Sequence, residues 1–270
     1  MNSDGELDLV GFDPVYLDHY AGSKISRLHV PLTKPEDVIP HLGKPSHYRE
    51  SRSAYCLVDS WANIWGSDNN IPELVRLTLD TAPGLVGADL IEGFLERECS
   101  LGDGGRHSQT DLLGLLSVDN KLVVMSVEGK VDETFGKLVV DELSKDPTPM
   151  KKARIVKLSA LFGLSAEAAK PLRYQLIHRT ASAIFEARRF HARTAVMMVH
   201  SFDRKDAGAE DYRRFADALG FEGAEPTITV GPKTFGGIEL YLGWTADSPT
   251  NECFSIVNRR KTDEGWFDED

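Results

Sequence analysis

Two apolar runs, Leu112–Val118 and Leu122–Val127, flank the polar pair Asp119-Asn120. Asp and Asn tolerate the positive φ values of a tight hairpin turn. The stretch Gln109–Gly136 therefore predicts two antiparallel strands joined by a two-residue loop. With Val118 facing Lys121, facing residues add to 239, so Asp111 stands opposite Glu128. Alternation then places Leu122, Val124, Ser126, Glu128 and Lys130 on one face and Val123, Met125, Val127, Gly129 and Val131 on the other. Two carboxylates across a ladder repel, and so apolar a strand adds a desolvation cost. A cation between them removes both objections, and magnesium is commonly held by one or two carboxylates with waters and phosphate oxygens. The plainer alternative is a solvated hairpin end carrying ordinary surface charges.

Elsewhere the spacing is mostly helical. Tyr55, Val58, Ala62 and Trp65 mark a helix over Ser51–Trp65, and Leu74, Leu77 and Leu79 mark another after Pro72, with their apolar stripes read as packing. Gly87–Glu96 reads as a short helix and Arg97–Leu101 as a strand, followed by the turn Gly102-Asp103-Gly104-Gly105. Lys137–Leu143 and Lys152–Phe162 read as helices, with 144–150 a loop interrupted by Pro147 and Pro149. Pro171–Phe190 is a long helix with an apolar stripe of Leu172, Leu176, Ile177, Thr180, Ala181, Ile184 and Ala187. Gln175, His178, Arg179, Ser182 and Glu186 fall opposite that stripe. Thr194–Phe202 is apolar enough for a buried strand. A helix over Ala209–Leu219 and strands over Thr227–Val230 and Ile238–Trp244 follow. Before Ser51, prolines dominate, with one short strand over Lys24–Val30. No repeat or linker divides the chain, so it reads as one domain: an extension over 1–84, a core over 85–205, and a helix and strands over 206–270.

Composition narrows the classes. The 270 residues carry a net charge of −11, and 41% are hydrophobic, enough for a real core. No run approaches the ~20 apolar residues of a membrane span. The acidic start, MNSDGELDLVGFD, lacks the basic and apolar regions of a signal peptide. Cys56, Cys99 and Cys253 show neither metal-ligand spacing nor a disulfide framework. The expectation is a cytoplasmic protein with free thiols and no membrane partner. Acidic balance disfavours loose nucleic-acid binding, although not a local basic rim. Basic residues cluster at Lys151, Lys152, Arg154 and Lys157, at Arg188, Arg189, His191 and Arg193, and at Arg259, Arg260 and Lys261; each cluster also reads as an ordinary solvated surface. No Gly-x-Ser-x-Gly occurs, and His107 and His178 have no recognisable nucleophile partner.

Asp111 on one strand and Glu128-Gly129-Lys130 on the next resemble the PD-(D/E)XK nuclease superfamily, over roughly residues 85–205. The resemblance implies an α/β fold: a restriction-endonuclease-like α-β-β-β-α-β core with a mixed sheet, plus a helical N-terminal extension and extra C-terminal strands. It implies a divalent ion, Mg²⁺ or Mn²⁺, held by Asp111, Glu128 and the backbone carbonyl of Gly129, with Lys130 as the lysine of the motif. The position before Asp111, proline in the family's motif, is Thr110. Many members carry Gln-x-x-x-Tyr on the helix before the last core strand; Gln175 matches, whereas position 179 is Arg and its role is open. A first-helix glutamate sometimes joins such sites, and Glu73, Glu92 and Glu96 are all candidates. The implied activity is metal-dependent phosphodiester hydrolysis of DNA, with Asp111, Glu128, Lys130 and Gln175 at the site. The alternative is a binding or regulatory protein that keeps the core without catalysis. Oligomeric state stays open, a homodimer included.

Overall fold

The computed structural model describes residues 27–29, 35–41, 53–62, 70–131, 133–144, 146–202 and 207–247. Helices α1 (Ser53–Ala62) and α2 (Glu73–Asp80) precede three strands, β1 (Asp89–Cys99), β2 (Ser108–Val118) and β3 (Lys121–Lys130). Then come α3 (Val139–Ser144), α4 (Pro149–Leu161), α5 (Ala166–Ala169), α6 (Tyr174–Arg189), β4 (Thr194–Ser201), α7 (Ala209–Ala218), β5 (Thr229–Phe235) and β6 (Ile238–Ala246). The six strands form one mixed sheet in the order β1-β2-β3-β4-β6-β5. The β1-β2-β3 meander is antiparallel, β4 runs parallel to both β3 and β6, and β5 is antiparallel to β6.

The hairpin has the register that alternation predicts, from Val118 opposite Lys121 to Leu112 opposite Val127. Asp119 and Asn120 have φ of 49° and 60°, the left-handed values that a two-residue loop of this twist requires. An Asn120→Ala variant should lose about 1 kcal/mol, because a Cβ without a polar tip is disfavoured there, whereas Asn120→Gly should be neutral or better. Urea unfolding of the two variants checks this; equal stability would mean that the turn is not left-handed in solution.

Several elements differ from expectation. Residues 89–99 form a continuous strand, not a helix followed by a strand. Pairing with β2 on one side, and the lone parallel bridge from Leu28 to Gly93 on the other, outweighs the weak helical spacing. Gly93 suits that contact, since a Cβ there would lie 2.8 Å from the Leu28 side chain. Pro149 starts α4 rather than lengthening a loop: it occupies the first turn, and the Thr148 side chain accepts from the Lys151 N–H. On α2, Leu74 and Leu77 are 41% and 47% exposed, so of that stripe only Leu79 packs; Val75 and Thr78 are the other buried residues. Of the predicted strand over Lys24–Val30, only Leu28 pairs among the described residues. Trp65, Cys253, the Arg259–Lys261 cluster and the acidic tail lie outside them.

Helices cover both faces of the sheet, and each covered face has its own core. On one face Leu176, Ile177 and Ile184 of α6 pack with Leu113, Val124 and Met197. On the other, Leu57 and Trp61 of α1 and Leu79 of α2 pack with Leu112, Val123, Val127 and Val196. The link from β3 to β4 runs through α6, so the two parallel strands end on the same side of the sheet. In open α/β sheets the carboxyl ends of parallel strands are where ligand sites form.

Candidate active site

Alternation on β3 aims Glu128 and Lys130 toward α6, and the first two turns of α6 answer with Gln175 and Arg179. Lys130 Nζ donates to Glu128 Oε1 at 2.9 Å and to Gln175 Oε1 at 3.2 Å. Gln175 Nε2 donates to the same Glu128 oxygen at 2.6 Å, and Arg179 Nε donates to Glu128 Oε2 at 2.6 Å. Glu128 and Lys130 are buried. Asp111 accepts the Gly129 N–H through Oδ2 at 2.8 Å, one step beyond the last ladder pair. Helix α1 covers the reverse side of this turn of β3: a Cβ on Gly129 would lie 3.4–3.5 Å from Ser53 and Leu57. Asp111, Glu128, Lys130 and Gln175 are thus gathered in one place.

Glu96 joins them, lying across from Asp111 between the Leu95–Leu112 and Arg97–Thr110 pairs and near enough to feel the charges of Arg179 and Glu128; Glu73 heads α2, and Glu92 is placed instead beside His29 at 3.3 Å. Glu96 comes from strand β1, not from a helix, and has φ of 52°. That left-handed residue inverts the alternation of the strand without slipping its register, since Leu95–Leu112 and Arg97–Thr110 pair in step. Phe94 packs against the α6-side core, yet Arg97 and Cys99 also turn to that side, Arg97 Nε donating to Glu186 at 3.3 Å.

The charges explain one another. Burial, followed by the charge of Glu128, pushes the Asp111 carboxyl well above the usual carboxylate range, with Arg179 and Lys130 opposing. For Glu128 burial also acts upward, but Arg179 and Lys130 outweigh it and hold this carboxylate low. Glu96 is pushed up to about 7, chiefly by burial and further by Glu128, with Arg179 opposing. Burial would lower Lys130, yet Glu128, Glu133 and Asp111 together raise it, so it stays charged. His178 is driven down to about 3 by burial beside Arg179 and is neutral.

Among the described residues no three His, Cys, Asp or Glu side chains form a ready-made metal shell. The acceptor chemistry nevertheless suits a hard cation. Lys130 and Gln175 fill Glu128 Oε1, but Oε2 takes only Arg179 and keeps one acceptor position. Among the described residues neither Glu96 nor the second oxygen of Asp111 receives a hydrogen bond. Asp111 and Glu96 are also the carboxylates that keep part of their surface open. Carboxylate oxygens with open acceptor positions are what magnesium or manganese takes, displacing the protons that burial favours on Asp111 and Glu96.

Sequence reasoning left Arg179 open and found no partner for His178. The structure joins both to Ser108, whose Oγ lies 3.1 Å from His178 Nδ1 and 3.1 Å from Arg179 Nη1. Their shared helical face was the available signal; Ser108, on another element, had none. Of the basic residues of α4, Lys152 and Lys157 are exposed, while Lys151 and Arg154 are half-buried. Lys151 pairs with Glu142, Arg154 clamps Asp103, and Lys157 donates to the carbonyls of Leu101 and Gly102. In the next cluster Arg188 donates to the Gly236 carbonyl.

Fold and site define an α/β protein whose mixed six-stranded sheet carries a cluster of carboxylates and cations at the ends of parallel strands. The family described as a domain of unknown function (DUF6946) matches residues 31–249, and the chain belongs to that family. No curated protein and no solved structure matches the chain. Among the described residues no helix is long and apolar enough to cross a membrane.

Proposed function

We propose that this chain is a metal-dependent phosphodiester hydrolase acting on DNA, built on a restriction-endonuclease-like core. One observation carries the reading: Asp111, Glu128, Lys130 and Gln175 converge where an antiparallel three-strand meander passes through a helix into a parallel strand. That element order and that residue set are what the PD-(D/E)XK resemblance implies. Asp111, Glu128 and the Gly129 carbonyl would hold Mg²⁺ or Mn²⁺. When bound, the ion supplies Lewis acidity and lowers the pKa of a water. Lys130, kept protonated by its carboxylate neighbours, stabilises developing negative charge at the phosphoryl oxygens rather than removing a proton. Gln175 accepts from Lys130 and donates to Glu128, fixing both side chains. DNA is the proposed substrate.

A second reading, a binding or regulatory protein without catalysis, is favoured by the pairing of Glu128 with Lys130 and Arg179, which neutralises that carboxylate without an ion. Melting curves with and without Mn²⁺, paired with cleavage assays on single- and double-stranded DNA, separate the two. Under the hydrolase reading, Mn²⁺ at a hundredfold excess over its Kd stabilises wild type by about 2.7 kcal/mol. Lys130→Met should keep that response and lose cleavage. A metal response in wild type with no cleavage of either substrate would favour the binding protein; no metal response at all would sink the site.

A further inference from the structure

We infer that Arg179 binds a non-bridging phosphate oxygen of the substrate diester, and that Ser108 and His178 hold its guanidinium in position for this. The inference rests on the hydrolase reading and adds to it a ligand for the phosphate.

The first argument is the arrangement of donors. A guanidinium carries five N–H groups in a rigid fork. Arg179 uses one at Nε for Glu128 and one at Nη1 for Ser108, and the rest take no protein acceptor among the described residues. The side chain is only 13% exposed, yet Nη2 is not among the buried atoms that lack a partner, so the unused end of the fork faces the opening of the cluster. A charged fork with free donors at an accessible end suits a phosphate oxygen better than any neutral acceptor.

The second argument is charge. Glu96, Asp111 and Glu128 stand with Lys130 and Arg179, and Glu133 reaches Lys130 at 3.8 Å from a more exposed position. Fully ionised, these four carboxylates and two cations leave two net negative charges, which a divalent ion cancels. With a neutral residue at 179 the metal-loaded cluster would keep a net negative charge and repel a phosphodiester, so Arg179 supplies the charge that lets the anion approach.

The third argument is the support behind the arginine. Arg179 can only donate, so Ser108 Oγ accepts from it and is free to give its own proton to His178 Nδ1. His178 is neutral and can accept there, which assigns its proton to Nε2. For the same reason His178 is a poor base, and Ser108 is a positioning residue rather than a nucleophile.

The test titrates full-length wild type, Arg179→Gln, Arg179→Lys and Ser108→Ala with MnCl₂, then with the thymidine dinucleotide TpT in the presence of Mn²⁺. Arg179→Gln should bind Mn²⁺ as tightly as wild type or more so, and TpT about tenfold or more weakly. Arg179→Lys and Ser108→Ala should fall between. Unchanged TpT affinity in metal-loaded Arg179→Gln, or no TpT binding by metal-loaded wild type, overturns this inference and leaves the metal site standing. No Mn²⁺ binding by wild type overturns both. Should Arg179→Gln fail to fold, Arg179→Lys decides, because wild-type TpT affinity there would remove any role for the fork.

Discussion

Glu128→Gln should destabilise the protein by about 3–5 kcal/mol, the usual consequence of removing one partner from a buried ion pair. Glu128 accepts three side-chain hydrogen bonds, from Lys130, Gln175 and Arg179. Glutamine keeps the shape but accepts at one end only; its NH₂ would confront either Lys130 or Arg179, donor against donor. Both cations would then be buried beside a neutral residue. Some compensation comes from Asp111, which ionises more readily once Glu128 no longer repels it and so places the fall at the lower end of the range. For a chain of this size the melting temperature should drop on the order of 10 °C. Urea and thermal unfolding measure the change; a loss below about 1 kcal/mol would show that the Lys130 and Arg179 contacts do not exist in solution.

Asp111→Asn should behave in the opposite way, keeping or raising metal-free stability while metal response and cleavage fall at least about a hundredfold. Asp111 and Glu96 have folded pKa values above those of the unfolded chain, near 4. Above about pH 4 the unfolded chain gives up protons that the folded protein keeps, so unfolding becomes easier as pH rises. Their stabilisation is full below about pH 4 and fades as pH rises through about 7 for Glu96 and higher still for Asp111. Glu128, held low, contributes the reverse: its stabilisation is present above the unfolded value near 4 and is lost as pH falls below it. Without divalent ions, stability should therefore decline between pH 5 and 8, at a rate on the order of 1 kcal/mol per pH unit. Mn²⁺ competes with those protons, so its stabilising effect should grow over the same interval. Asparagine at 111 removes one of the titrating groups and flattens the curve. Melting temperatures of both proteins from pH 5 to 8, with and without Mn²⁺, give the answer; superimposable profiles would remove Asp111 from the site.

Much of this was legible because it is local. The turn residues and alternation of the hairpin specify its register without help from the rest of the chain, and α6 and β4 carry strong periodicities of their own. Gln175 was readable from its place on that helix. Strand β1 was not, because its state depends on pairing with β2 and with Leu28, and nothing nearby encodes those partners. Nor could Glu96 be chosen over Glu73 and Glu92, since no residue preference announces a left-handed glutamate. Whether Lys151, Lys152, Arg154 and Lys157 form a basic rim or an ordinary solvated surface stayed open, because charge along a sequence does not reveal that Arg154 holds Asp103 while Lys152 and Lys157 stay exposed.

Strand β1 also forms one border of the sheet, where a straight strand would offer its unpaired backbone to any other extended chain. It is interrupted at the irregularity between Leu90 and Glu92, again where residues 27–29 lie against Gly93, and again at Glu96. Each interruption shortens the flat run on which a second copy could align. The bend that carries Glu96 into the carboxylate cluster thus also guards against self-pairing. A substitution that straightened the strand would unseat an acidic group and, by the same movement, open a border on which chains could stack.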